Sequence, residues 1–421
     1  MNKLETILVH LPSYRDPELI PTIEDALIKA KYPERIHFGI CRQYHPEDGF
    51  DDTSRFEDDE RFHIMEVLYT EAKGLPWARA QINENLLTDQ DYILQLDSHH
   101  RFAEDWDETL IDMHNSLEAD GYKPILAAYL PLYTPFDDPD GRATVPWQQQ
   151  FACFYPHGTI FIRPALLEGW ETMTKPPMSR FLSGHFCFAR SEWAREIRHD
   201  PDIYFSGEEI NLTVRSYTHG YDFFHPHKMI IWHSTMREER SGILKWDDDS
   251  KNNIDFNRKQ DYARKKIRCL FRVEEDPEID LTGYDLGTVR TLRDYEKYAG
   301  VNFKTKAVQK YTVDNKYPPN PLIQNDELWE ASFMESFYHL VNIDKSSFAR
   351  NDYKFVLVAF DDENGNSLST RFIDDGRLNY FNQGNNIHYE EFFLTHKIPS
   401  RVVYWAYNEE IGWCERIEKI L

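Results

Sequence analysis

The sequence predicts an α/β protein: a Rossmann-like, mostly parallel mixed sheet with helices on both faces, followed by a small all-β module. Three observations predict it. Strand-like and helix-like segments alternate through the first half, the signature of βαβ units. An apolar run (Tyr92, Ile93, Leu94, Leu96) ends abruptly in Asp97-Ser98-His99, as a buried strand ends where ligands bind. Beyond a stretch at 313–325 that holds Pro318, Pro319 and Pro321, short strand-like runs alternate with turn residues.

The elements follow in order. Residues 6–11 read as a first strand. Residues 17–31 read as a helix, with Asp16 as N-cap and Pro17 at its first position. Strands are expected over 36–41 and 64–68, and a helix over 77–87, where Ala78, Ile82 and Leu86 recur at helical spacing. Residues 92–96 form the strand that delivers Asp97; 106–117 read as a helix and 125–129 as a strand. Residues 131–182 are irregular, rich in proline and aromatics, and suggest loops over a site rather than sheet core. Residues 250–272, Asn252 to Arg272, carry dense Lys and Arg at helical spacing and predict a surface helix. The prolines of 313–325 suggest a linker. Strands at 353–360, 369–373, 389–394 and 401–407 suggest a sandwich. The expected organisation is a first domain over 1–275, a helical or irregular connector over 276–325 and a β-rich module over 326–421.

Composition excludes several classes. A chain of 421 residues fits two or three domains. No stretch approaches the roughly 20 apolar residues of a membrane span. The first residues, Met1 to Val9, read as a strand rather than a signal peptide, so a cytoplasmic protein is expected. Cys41, Cys153, Cys187, Cys269 and Cys414 are scattered without a Cys-x-x-Cys pair, which argues against a zinc module or a disulfide framework. A net charge of −24 repels nucleic acid. Any phosphate-bearing ligand must be met by locally placed cations or a metal. The absence of a P-loop and of Gly-x-Gly-x-x-Gly lowers the weight of P-loop kinases and nicotinamide enzymes.

Side chains two apart in an extended chain point the same way. Asp97 and His99 therefore offer an oxygen and a nitrogen side by side at a strand tip, a pair suited to a borderline divalent ion such as Mn²⁺. The plainer alternative is an aspartate that only caps or turns. A second apolar run, Ile230-Ile231-Trp232, ends in His233, a candidate third ligand; a core histidine is the alternative, and His225 and His227 compete for the role. Glu208 and Glu209 follow Gly207 at the start of a helix-like stretch. The helix dipole alone favours two acids there; a carboxylate facing a reacting sugar is the functional reading. Ser183-Gly184-His185 could floor a sugar pocket or merely open a strand. After the first strand, Tyr14 could stack on a base, with Arg15 or Asp16 offered to uracil or ribose. Arg42 follows the second strand, and Arg79 could reach a diphosphate.

Taken together, the order Ser-Tyr-Arg-Asp, Gly-Leu-x-x-Ala-Arg, Leu-Asp-Ser-His, Ser-Gly-Glu-Glu and a late His resembles the GT-A glycosyltransferases. It is most similar to the polypeptide α-N-acetylglucosaminyltransferases that include the cytoplasmic protein-hydroxyproline enzymes, and also to the mucin-type polypeptide N-acetylgalactosaminyltransferases. The likeness covers roughly residues 5–275. It implies a GT-A fold, a UDP-sugar donor (N-acetylglucosamine by default), Mn²⁺ or Mg²⁺ as cofactor, and retention of anomeric configuration. It implies Asp97, His99 and His233 as metal ligands and Glu208 or Glu209 at the sugar or acceptor. With the reading above, the donor-binding set is Ser13, Tyr14, Arg15, Asp16, Arg42, Arg79, Asp97 and Ser98, and the substrate set Ser183, Gly184 and His185. The acceptor is a protein or glycan hydroxyl; self-association into a homo-oligomer is left open. The rivals are a nucleotide-sugar hydrolase or nucleotidyltransferase, and a non-catalytic carbohydrate-binding protein acting through residues 325–421.

Overall fold

The computed structural model describes residues 4–235, 244–251 and 255–421. The chain forms two compact units, one of Met1–Ala152, His157–Gly300 and Tyr311–Leu322, the other of Cys153–Pro156, Val301–Lys310 and Ile323–Leu421.

The first unit holds strands β1 (Ile7–Tyr14), β2 (Ile36–Tyr44), β3 (Phe62–Leu68), β4 (Tyr92–Leu96), β5 (His100–Phe102), β6 (Pro124–Ala127), β7 (Trp147–Phe154, whose last two residues are counted with the second unit), β8 (Ile160–Leu166), β9 (Phe186–Arg190), β10 (Asp222–Phe224) and β11 (Ile231–His233). Its helices are α1 (Leu19–Lys29), α2 (Leu75–Asn85), α3 (Trp106–Glu118), α4 (Ser191–Glu196), α5 (Glu208–Thr218), α6 (Lys245–Lys251), α7 (Phe256–Leu270) and α8 (Leu292–Ala299). Seven strands make the main sheet in the order β10-β6-β9-β4-β1-β2-β3. All neighbours run parallel except β9, which is antiparallel to β4 and to β6. The expected mixed, mostly parallel sheet is thus present.

Alternation along the strands decides which helix covers which face. Ile7, Val9 and Leu11 of β1 and Tyr92, Leu94 and Leu96 of β4 share a core with Leu19 and Ile23 of α1 and Trp106 and Leu110 of α3. On the opposite face Cys41 and Val67 pack with Ala78 and Ile82 of α2. A Cβ on Gly39 would lie 2.9 Å from Ile82, so glycine lets α2 approach the sheet closely. Because β1 and β4 are parallel neighbours, the turns after both open at the same edge, where ligands of such sheets bind. The pair β5–β11 is a separate two-stranded antiparallel sheet that sets His233 opposite His100.

The structure corrects several local expectations. Helix α1 begins at Leu19 with Glu18 as N-cap, and no side chain caps it. Asp16 stands before the helix; its Oδ1 accepts from Glu18 N at 3.0 Å, leaving Oδ2 for other partners. Strands β1 and β2 outrun the expected 6–11 and 36–41 because their parallel pairing continues to Tyr14↔Gln43. The expected 125–129 strand stops at Ala127, two residues before Tyr129. The loops expected at 131–182 include the two-stranded sheet β7–β8. The basic helix is α7; residues 252–254 lie outside the described residues. The proline-rich stretch is tied down rather than free: Arg180 donates to Asn320 Oδ1 at 2.6 Å and also to the carbonyl of Lys316.

The second unit is built from two four-stranded sheets. One pairs β12 (Val301–Asn302), β13 (Ala307–Gln309), β14 (Phe333–Ile343) and a later strand, β17; the other is formed by β15 (Phe355–Asp361), β16 (Ser367–Ile373), β18 (Arg401–Asn408) and β19 (Gly412–Ile420), with β17 spanning Ile387–Thr395. Val341 and Ile343 of β14 and Ile387 of β17 share one core with Val356, Val358, Phe360, Val402 and Tyr404 of the other sheet, the arrangement of a sandwich. No helix among the described residues is long and apolar enough to cross a membrane.

Candidate functional site

The turn after β4 is held by hydrogen bonds from α1. Thr22 Oγ1 donates to Ser98 O at 3.0 Å and accepts from His100 N at 2.9 Å. Ser98 Oγ donates to Asp16 Oδ2 at 2.7 Å, and His99 Nδ1 meets the same oxygen at 2.7 Å. With Nδ1 engaged, His99 turns its Nε2 toward Asp97 Oδ2, 3.8 Å away. The β5–β11 pairing brings His233 Nε2 to 3.5 Å from that oxygen. One ligand atom from each of Asp97, His99 and His233 lies within 4.8 Å of the others. His225, by contrast, is tied through Nδ1 to Ala127 O at 3.0 Å, and neither it nor His227 joins the cluster among the described residues.

Two further imidazoles line this cluster. His185 stacks on His233 with centroids 4.3 Å apart and planes 9° apart, and its Nε2 accepts from Leu130 N at 3.1 Å. His100 lies 4.9 Å from His233. Burial, with the neighbouring imidazoles, holds both His100 and His185 well below the usual imidazole range.

Arg79 links the cluster to α5. It is wholly buried. Its Nη2 donates to Asp97 Oδ1 at 2.7 Å and its Nη1 to Glu208 Oε1 at 2.5 Å. Burial alone pushes Asp97 up, but His233, Arg79 and His99 outweigh it and hold the carboxyl well below its ordinary value. For Glu208, too, burial raises, and Arg79 with His199 Nδ1, 3.3 Å away, more than offsets it. Glu209 faces elsewhere: Oε1 accepts from Gly184 N at 2.8 Å and Oε2 from the Tyr129 hydroxyl at 2.6 Å. Burial, with the charge of Glu208, raises Glu209 to about 7. Two glycines permit this packing. Gly207 starts α5 at φ +93°, where a Cβ would sit 2.0 Å from Ile267 Cδ1. A Cβ on Gly184 would lie 3.3 Å from Arg79 Nη1 and 3.5 Å from Glu209 Oε1. Ser183 is buried and its Oγ accepts from His185 N at 3.2 Å.

The turn after β1 forms the other side of this edge. The Tyr14 hydroxyl donates to Asp248 Oδ2 of α6 at 2.7 Å, and Arg15 Nη1 donates to the same oxygen at 3.0 Å. Arg15 Nε donates to Asp48 at 2.6 Å. Ser13 is fully buried with its hydroxyl unpartnered among the described residues.

Several of the expected donor-binding residues meet protein partners. Arg79 does not point at an open diphosphate site; both terminal nitrogens meet carboxylates inside the protein. Arg42 is likewise spent on Asp51 at 2.8 Å and Glu66 at 2.5 Å. Asp16 faces Ser98 and His99 rather than an open pocket. The contributions of Thr22, Tyr129, His199 and α6 carry no local sequence signal, because each depends on a partner distant in the chain.

Comparison with known proteins supplies the class. A family model described as glycosyltransferase (GlcNAc) matches residues 6–56 and 49–305, well over half of the chain. The chain belongs to this glycosyltransferase family, in agreement with the resemblance read from its motifs. Among solved structures it is similar to GalNAc-T7 with UDP, GalNAc and Mn²⁺, at 14% identity and TM-score 0.44, over 70% of this chain and 54% of that one. It is also similar to S. aureus TarS 1-349, at 13% identity and TM-score 0.34, over 56% of this chain and 61% of that one. A longer S. aureus TarS structure aligns over 99% of this chain and 77% of its own at 9% identity and TM-score 0.39. The chain thus spans about half the length of the GalNAc-T7 chain. No curated protein matches it by sequence.

Proposed function

We propose that the protein is a metal-dependent, retaining hexosaminyltransferase that moves a sugar, N-acetylglucosamine by first choice, from a UDP-sugar to a hydroxyl of a protein or glycan. The observation that carries this reading is the convergence of Asp97, His99 and His233 within 4.8 Å in a chain of a glycosyltransferase family. One carboxylate oxygen and two imidazole nitrogens suit Mn²⁺ and, less well, Mg²⁺. Asp16 on His99 Nδ1 and Arg79 on Asp97 Oδ1 are the outer partners that such ligands need to hold their orientation. When bound, a divalent ion supplies positive charge against a departing diphosphate.

The protein's own residues do the positioning. Tyr14 and Arg15 offer a ring and a guanidinium at the edge where the nucleotide would lie. Arg42 and Arg79 have no charge to spare for it, which is why the reading leans on a metal. Glu209, Tyr129 and Gly184 form a hydrogen-bonded floor beside His185, where a carboxyl can orient a sugar or acceptor hydroxyl. Catalysis by positioning and electrostatics then needs no covalent protein intermediate. The reading extends to a cytoplasmic enzyme, supported by five free cysteines.

The test is release of UDP from a panel of UDP-sugars, with and without Mn²⁺, and the anomeric configuration of the product by NMR. Metal-dependent turnover of UDP-N-acetylglucosamine with retention is expected. Turnover indifferent to chelator, or an inverted product, rejects the metal or the stereochemical part respectively.

A further inference from the structure

A cavity of about 500 Å³ opens in the first unit between the entry of α2, the loop before α5 and the start of α7. That volume is typical of a small-molecule site, for which the usual range is about 300–1,000 Å³. Lys73, Asp202, Tyr204, Arg258, Lys259 and Tyr262 line it. Its walls are firmly placed. Gly74, beside Lys73, adopts φ +116°, and a Cβ there would lie 2.7 Å from Tyr204 O. Ser206 N donates to Gln260 Oε1 at 3.2 Å, which fixes α7 to the loop. That loop runs directly into Gly207, Glu208 and Glu209, and α2 runs on to Arg79. The cavity is therefore walled by segments continuous with Arg79 on one side and with Glu208 and Glu209 on the other.

Its charge is out of keeping with the rest of the chain. The protein carries a net −24, yet three cations meet here, and none of them is in an ion pair among the described residues. The two acids of the lining are already engaged. Asp202 binds Lys266 Nζ at 2.9 Å, and the Asp255 side chain caps α7 by accepting from Arg258 N at 3.0 Å. Lys259 lies 5.5 Å over the Tyr204 ring, whose hydroxyl is committed to Asp249 at 2.7 Å. Tyr262 is 41% exposed and offers an open ring face. Unspent cations beside aromatic faces match a ligand that joins a ring to an anionic group.

We propose that this cavity is a binding site for an anionic sugar, with Lys73, Arg258 and Lys259 on its phosphate or carboxylate and Tyr262 against its ring. The assignment rests on the sugar-transfer reading above. Calorimetric titration of the full chain with N-acetylglucosamine 6-phosphate, glucuronic acid, neutral N-acetylglucosamine and a glutamate-rich peptide tests it without requiring turnover. At least one anionic sugar should bind about tenfold or more tighter than the neutral one, with affinity falling as salt rises; which of the two wins distinguishes a phosphate ester from a uronate. The double variant Arg258→Gln, Lys259→Gln should lose about tenfold in that affinity. Its acceptor-independent release of UDP from UDP-N-acetylglucosamine should stay unchanged. Equal binding of the neutral sugar, wild-type affinity in the double variant, or binding of the peptide alone would overturn the proposal. A protein that binds the anionic sugar but never releases UDP instead overturns the transfer reading.

Discussion

The two turns that border the candidate site are built on opposite plans. After β4, every candidate ligand has a fixed outer partner: Asp16 for His99, Arg79 for Asp97, and the β5–β11 pairing for His233. The ligand atoms face one another before anything binds. After β1, Tyr14 and Arg15 are held by a carboxylate from α6, Asp248. The first turn is preorganised for a cation. The second has its positive charge already answered by Asp48 and Asp248; in the proposed function a nucleotide anion would compete with Asp248. On the proposed reading, the charge for a diphosphate comes from the β4 side.

The largest effect that sharpens this contrast is on stability. Arg79→Met strands the buried carboxylate of Glu208 and the partly exposed one of Asp97, and should cost about 3 kcal/mol, read by urea unfolding. Little change would mean that solvent reaches the pair and that the β4 turn is looser than described.

Next in size is a pH effect from Glu209. The folded carboxyl, raised from 4.5 to about 7, holds its proton more tightly than the unfolded one. The resulting stabilisation is complete below pH 4.5 and is lost as pH rises to about 7. At about 1.4 kcal/mol per unit it amounts to at most about 3.5 kcal/mol. Glu209→Gln should flatten the unfolding free energy across that window. An unaltered slope would place the titration on another group.

Asp16→Asn should weaken Mn²⁺ binding about 10- to 100-fold, as expected for an outer partner, while the fold survives. Unchanged affinity would mean that His99 needs no orienting. The smallest effect expected is at the β1 turn. Asp248→Asn removes one of the two carboxylates that hold Arg15, leaving Asp48, and should tighten UDP several-fold, about 1 kcal/mol. Weaker UDP binding would reverse the comparison and make Asp248 part of the nucleotide site.

How much of this was legible depended on how local the signal was. Asp97 and His99 stand out because an apolar strand ends in a period-two pair, and His233 because it closes a second apolar run. The main sheet is readable for the same reason: β1 and β4 are buried on both faces, so their runs are nearly continuous. Asp16 reads as a helix cap because its local context is a proline and an apolar helix. Only the fold brings Ser98 and His99, more than 80 residues on, to its second oxygen. Arg79 reads as a free cation because Glu208 lies 129 residues away. In the second unit β14 and β19 escaped notice because most of their residues are only partly buried. An edge strand such as β19, with Glu415, Arg416, Glu418 and Lys419, shows little of the alternation that marks a half-buried strand.

The most direct measurement is Mn²⁺ binding, by electron paramagnetic resonance or calorimetry, to the wild-type chain and to Asp97→Asn, His99→Ala and His233→Ala, with circular dichroism confirming each fold. The account predicts a single bound ion whose affinity drops on the order of a hundredfold or more in each folded variant, with metal-dependent UDP release lost alongside it. Undiminished binding and full UDP release in any one of the three would contradict it.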